Sequence, residues 1–201
     1  MKGVVVCVSA RAAEEGGKVL EAGGNAFDAA VATAFVQMIV TPFSCGVGGM
    51  MSAHLWAPQK KDHLVIDGCL RAGSLVTDSM WENDYLGEST ASGSSQFEDF
   101  RSTKGYTSVC TPGSVAVLAE LHQRYCSWPW IDLLRPAISI ARKGYVVIAQ
   151  APGGSWRDNE PYEPDRIAGI KATSECAKIY LRPDGLMYEV GEIIRNPDYA
   201  D

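Results

Sequence analysis

Apolar residues open the chain as the compact run Val4-Val5-Val6-Cys7-Val8, rich in β-branched valine, which predicts a buried strand over residues 3–8. Ser9 follows as a helix N-cap, its hydroxyl available to a free backbone N–H. The spacing of apolar positions then predicts a helix from Ala10 to Ala22, closed at Gly23-Gly24. A second helix is read from Ala26 to Val40. It is apolar on nearly every side, carries Asp28 in its first turn where the helix dipole favours an anion, and is expected to be central and buried. At roughly fifteen residues it falls short of the ~20 needed to span a bilayer. Pro42 and Ser44-Cys45-Gly46-Val47-Gly48-Gly49 read as a glycine-rich turn, followed by strands at Ser52–Trp56 and His63–Asp67 joined through Pro58-Gln59-Lys60-Lys61.

From Thr77 to Tyr106 the pattern turns polar, and Ser89 to Ser95 is rich in Ser and Gly, which predicts an exposed connection. Thr111 is read as an N-cap and Pro112 as the first residue of a helix reaching Tyr125. A further helix is predicted from Trp130 to Lys143 with Gly144 behind it, and Pro136 is expected to kink or restart it. Past Ala149 the stretch from Pro152 to Pro164 is loop-like, Asp165–Ala177 is read as helical, and Asp184-Gly185 as a hairpin turn. The residues from Arg195 to Asp201 read as the approach to another helix, as though the chain were cut there.

Composition narrows the class. With 201 residues, 46% hydrophobic and 21% charged, the chain has a globular make-up without internal repeats. Eighteen basic against 24 acidic residues give a net charge of −6, the wrong sign for general attraction to nucleic acid or an anionic membrane surface. The cations that cluster between residues 101 and 150 are spread over some forty residues, with Arg142 and Lys143 at a helix end, so they read as solvated faces. The opening apolar run is too short for the core of a signal peptide, and no compartment is assigned.

Six cysteines, Cys7, Cys45, Cys69, Cys110, Cys126 and Cys176, form no C-x-x-C pair, and His54, His63 and His122 share no short metal-ligand spacing with them. No metal site is assigned, and the thiols are read as small buried hydrophobes rather than nucleophiles. Gly46-x-Gly48-Gly49 invites a phosphate-loop reading, but these glycines follow a helix and precede a strand, the reverse of the required order. They are read instead as a place where backbone passes close to a neighbour. The carboxylates at Glu82–Asp84 and Glu98–Asp99 fall in the polar segment and read as surface. Arg71 stands just past a strand end at Ile66-Asp67-Gly68, where a guanidinium either grips a carboxylate ligand or pairs with an acid such as Asp67.

Several blocks resemble the γ-glutamyltransferase (γ-glutamyltranspeptidase) family. They are Glu21-Ala22-Gly23-Gly24-Asn25-Ala26-Phe27-Asp28-Ala29-Ala30, Ser44 to Gly49, Ile66-Asp67-Gly68-Cys69-Leu70-Arg71-Ala72, Thr111-Pro112-Gly113-Ser114, Pro136 to Tyr145 and Gly191 to Pro197. The resemblance implies an α+β fold of the N-terminal nucleophile hydrolase type, an αββα sandwich. Residues 1–201 would be a single partial domain, the N-terminal portion of the large subunit of a self-cleaving precursor. The nucleophile it implies is a threonine at the new N-terminus of a small subunit, whose own α-amino group serves as base for acyl transfer from glutathione or related γ-glutamyl or acyl amides.

On that reading this chain contains no catalytic residue, needs no cofactor and is inactive alone. Its partners are the small-subunit portion of the same precursor and a small-molecule amide substrate. The carboxylate-gripping arginine of the transpeptidases falls at Cys69, and Arg71, two positions on and so on the same strand face, is the substrate-binding candidate. Met50-Met51 stand where the family continues with glycine, and Pro152-Gly153-Gly154-Ser155 resembles the small-subunit oxyanion segment in letters only. The contrasting reading is a non-catalytic fragment or degenerate paralogue that only packs or binds. A nucleotide-binding α/β domain is the more distant alternative.

Overall fold

Helix α1, Ala10–Glu21, begins where the Ser9 hydroxyl accepts the Ala12 N–H at 3.3 Å. Ala12, Glu15, Gly16, Val19 and Leu20, three or four residues apart, form its buried face. The buried Glu15 carboxylate is held by Arg11 at 2.9 Å and Lys18 at 2.8 Å. Gly23, at φ +95°, turns the chain out of this helix. Helix α2, Ala26–Val40, follows at once, opened by a capping box: Asn25 accepts the Phe27 and Asp28 N–H groups while Asp28 accepts the Asn25 N–H at 2.7 Å.

A computed structural model of the chain describes residues 3–89, 95–102, 104–148 and 163–201. In it α2 is the central element, as its all-round apolar pattern predicts. Val31, Ala32 and Val36 are fully buried, and α1, α3 (Ser114–Tyr125) and α4 (Trp130–Lys143) pack around them. Phe35 meets Trp130 edge-on at 5.3 Å, and Phe27 meets Tyr125 at 4.9 Å.

Strands β1, Met51–Ala57, and β2, Asp62–Gly68, form an antiparallel hairpin paired from Met51–Gly68 to Ala57–Asp62. Leu55 and Ala57 turn inward with Leu64 and Ile66 to the core near α3, while Ser52, His54, Trp56, His63, Val65 and Asp67 are exposed. Strands β3, Tyr85–Glu88, and β4, Ser95–Phe97, pair in the polar segment. Strands β5, Tyr145–Val146, and β6, Ile193–Ile194, join the end of α4 to the last part of the chain. Helices α5 (Glu163–Lys171), α6 (Ser174–Tyr180) and α7 (Pro197–Ala200) complete the chain, α7 capped by Asn196 and packed on α4. Among the described residues no helix is long and apolar enough to cross a membrane.

Four expectations are corrected. Residues 3–8 are neither buried nor paired: Val4 and Val6 are 86% and 89% exposed, while Val5 and Cys7 are half-buried. A strand needs a neighbour to take its N–H and C=O groups, and none among the described residues does so. Thr111 is not an N-cap, because its N–H and C=O are both engaged by Arg71; α3 starts only at Ser114, behind Gly113. Of the two outcomes read for Pro136, a kink or a restart, the restart is absent, since Leu133, Ala137, Ile140 and Ala141 are buried on either side of it and hold the helix through the lost bond. The helix read over Asp165–Ala177 is two, α5 and α6, separated at Thr173, whose backbone is extended. Of the segments read as loops, residues 90–94 and 152–162 lie outside the described residues, as does Pro152-Gly153-Gly154-Ser155.

Candidate functional site

Three segments converge beside the Gly68 end of β2 and place Arg71. The first is the turn from Gly46 to Gly49. The first N–H groups of an α-helix have no partner within it, and in α3 the Gly49 carbonyl supplies one, accepting Gly113 N–H at 3.0 Å and Ser114 N–H at 3.2 Å. A backbone carbonyl therefore occupies the position a phosphate would take at this helix end, which removes the nucleotide-loop reading. Of these glycines only Gly49 has backbone close to where a Cβ would stand, 3.1 Å from the Gly46 carbonyl oxygen; Gly46 and Gly48 face open space, so the close-approach reading does not hold for them.

The second segment is the end of β2. A Cβ at Gly113 would lie 2.0 Å from the Gly68 carbonyl oxygen, so the strand end rests directly on the start of α3 because both residues lack side chains. The third is the Arg71–Thr111 bridge, where Thr111 N–H donates to the Arg71 carbonyl at 2.8 Å and Arg71 N–H to the Thr111 carbonyl at 3.4 Å. The main chain of Arg71 is thus tied at both polar groups while its side chain is exposed.

Asp67, Cys69 and Arg71 are all exposed, as is Leu70, so the β2 alternation stops at the strand end. The Cys69 thiol and its N–H, the latter at 3.0 Å, donate to Asp67; the Ser52 hydroxyl adds a bond at 3.4 Å, and the Arg71 charge acts in the same sense. Together these hold the Asp67 carboxyl below its ordinary range. The same hydrogen bond and the negative charge push the Cys69 thiol up, so near neutral pH Cys69 is a protonated thiol and not a nucleophile. Arg71 forms no ion pair with Asp67 or with any other described carboxylate.

The remaining candidates settle elsewhere. Burial pushes Cys126 up to about 12, Cys45 contacts Thr41 and Cys7 contacts Gln37; no histidine approaches a thiol to activate it among the described residues. His122 is anchored to the Trp128 carbonyl at 2.9 Å. Asp84 is paired with Arg101 at 2.9 Å, as a surface reading of that segment expects.

Residue reading missed the role of Asp28. Its fully buried carboxylate accepts Ser127 N–H at 2.9 Å, the Ser127 hydroxyl at 2.6 Å and Trp128 N–H at 3.1 Å, besides the Asn25 N–H. Asn25 also donates to the Tyr125 carbonyl at 2.9 Å. The Asn25-Ala26-Phe27-Asp28 segment is therefore a clamp between the start of α2 and the α3–α4 connection. The Asn-x-x-Asp spacing of a capping box was the signal available for it.

The gamma-glutamyltranspeptidase family model matches residues 12–201. Glutathione hydrolase 3 of Arabidopsis thaliana is 35% identical over 98% of this chain and 28% of its own length. The Acylase ACY 1 proenzyme of Pseudomonas sp. strain SE83 is 32% identical over 99% of this chain and 33% of its own. The chain thus spans about a third of these curated relatives. The crystal structure of Helicobacter pylori gamma-glutamyltranspeptidase superimposes with a TM-score of 0.81 at 26% identity, covering all of this chain and 52% of that one. The α+β fold is that of the N-terminal nucleophile hydrolases. With its signature clamp built as described and the family's pattern running from residue 12 to residue 201, the chain belongs to the gamma-glutamyltranspeptidase family.

Proposed function

We propose that the chain forms the N-terminal part of the large subunit of an amide hydrolase or acyltransferase, in which a separate portion of the same precursor carries a threonine nucleophile. A glutathione hydrolase and an acylase proenzyme among its relatives support that chemistry. The chain then supplies no catalytic residue and no cofactor site; it supplies Arg71, which holds a carboxylate of a small amide substrate. The observation that carries this role is a guanidinium whose main chain is tied to Thr111 and whose side chain is exposed without an ion-pair partner among the described residues. Donor selectivity rests on Arg71 because Cys69, at the position the family resemblance gives to arginine, is a neutral thiol.

A bidentate guanidinium–carboxylate contact is worth about 1.5–3 kcal/mol, or roughly ten- to hundredfold in binding. Arg71→Ala is expected to raise KM by that factor for γ-glutamyl or acyl amides bearing a free carboxylate, with a much smaller change in kcat, and Arg71→Lys to recover part of it. An unchanged KM refutes the role. The division of labour is tested by intact mass and N-terminal sequencing of every polypeptide made from the native gene: a second chain beginning with threonine is expected. A single product lacking such a chain would leave only a packing or binding role.

A further inference from the structure

We propose that His54 and His63 form a binding site for a divalent late transition-metal ion, copper(II) or nickel(II), on the open face of the β1–β2 hairpin. The two residues are far apart as metal ligands go in sequence, and strand pairing unites them. The register sets His54 opposite Val65 and His63 opposite Trp56, so the histidines are diagonal neighbours on the exposed face. Their Nε2 atoms stand 2.7 Å apart, with ring centroids at 4.9 Å and ring planes within 28° of each other.

The pair suits an ion that takes two imidazole nitrogens side by side. Imidazole nitrogens bind such ions at about 2.0–2.1 Å, so two in adjacent corners of a square plane lie about 2.9 Å apart, and two in a tetrahedron about 3.4 Å. The observed 2.7 Å is the spacing of a hydrogen bond and lies nearer the first of these. In the arrangement seen, the nitrogens face each other as donor and acceptor of one hydrogen bond. Both rings are exposed, and coordination replaces their mutual hydrogen bond by turning each about its Cβ–Cγ bond, which shifts the ring contacts between them and with Trp56.

The nearby charges are mixed: Arg71 acts on Asp67, and Lys61 is exposed at the hairpin turn. Asp67 is exposed on the same face and ionised, while Lys60 at the hairpin turn is drawn away, its ammonium 4.8 Å from the centre of the Tyr125 ring and bonded to the Arg124 carbonyl. Asp62, next to His63, accepts the Tyr125 hydroxyl at 2.9 Å on the opposite face and is no ligand. The protein thus contributes two nitrogens and water the other positions. Trp56 stands edge-on to His63 at 6.1 Å, close enough for a bound copper(II) ion to quench its fluorescence.

The test is titration of the intact protein carrying this chain with Cu²⁺, read by tryptophan fluorescence and by electron paramagnetic resonance. Saturable quenching at one equivalent is expected, with a tetragonal spectrum showing two nitrogen ligands. His54→Gln and His63→Gln are each expected to weaken binding at least about tenfold. Trp56→Phe separates reporter from ligand: the quenching falls and the resonance spectrum stays. Quenching that does not saturate, or a two-nitrogen spectrum that survives in the double variant His54→Gln/His63→Gln, overturns the site.

Discussion

At the scale of single residues, Asp28 does more for this fold than its side-chain type suggests. Burial alone would raise its pKa, but the Ser127 hydroxyl and the N–H groups of Asn25, Trp128 and Ser127 outweigh burial and hold the carboxyl below 3.8. A group whose folded value is depressed adds stability that is whole above its unfolded pKa, about 3.9, and drains away as pH falls through the folded value. Asp28→Asn, which turns one acceptor into a donor facing donors, is expected to cost about 2 kcal/mol at pH 7. Urea unfolding at pH 7 and pH 3 checks this: the gap between parent and variant should narrow at the lower pH, and a gap independent of pH would reject the assignment. Half of the clamp was legible, since Asn25 and Asp28 stand at capping-box spacing. Its other half, Ser127 and Trp128, lies about a hundred residues away, where no local rule reaches.

Among the elements, those whose pattern is set by their own burial were readable from the chain. Helix α2 spans Ala26–Val40 and α4 spans Trp130–Lys143 as predicted, and the hairpin differs by a residue or so at each strand end. Elements that depend on a contact with something distant in sequence were misread. Thr111 has the chemistry of a cap, yet its backbone is taken by Arg71; residues 3–8 have the composition of a buried strand, yet Val6 is exposed. The joint at Gly68 and Gly113 is likewise a long-range fact. A methyl group at residue 113 has backbone in its way at 2.0 Å, so Gly113→Ala is expected to destabilise the protein by about 3 kcal/mol and to shift the strand end that carries Arg71. Gly46→Ala, with nothing within 4 Å of its new carbon, is the control and should stay within about 0.5 kcal/mol. Thermal unfolding of both variants measures the contrast; equal shifts would mean the joint is not tightly packed.

For the molecule as a whole, the alternation at residues 3–8 leaves Val4, Val6 and Val8 outward with no strand beside them among the described residues. Unpaired apolar edges associate. The chain by itself is expected to self-associate at micromolar concentration, and Val6→Lys to reduce this by placing a charge on the edge, as light scattering would show. A parent chain that is monomeric and unfolds cooperatively would reject the expectation. The sequence by itself determined helices α1, α2 and α4, the hairpin and the family, because apolar periodicity and short motifs are local properties that survive in a one-dimensional string. It also offered Arg71 as a candidate, through its place after a strand end. Only the tertiary structure decided that the glycine-rich turn caps α3 with a carbonyl, that Thr111 pins Arg71, and that Asp67 keeps Cys69 protonated. Nor did spacing disclose the His54–His63 pair, since the residues between the two histidines hold no metal-ligand pattern and the antiparallel register alone sets their rings together. The carbonyl cap, the Thr111 bridge and the histidine pair rest on contacts between segments whose distance along the chain says nothing of their distance in space; the Asp67–Cys69 pair is local, but its hydrogen bond depends on how the backbone leaves the strand end.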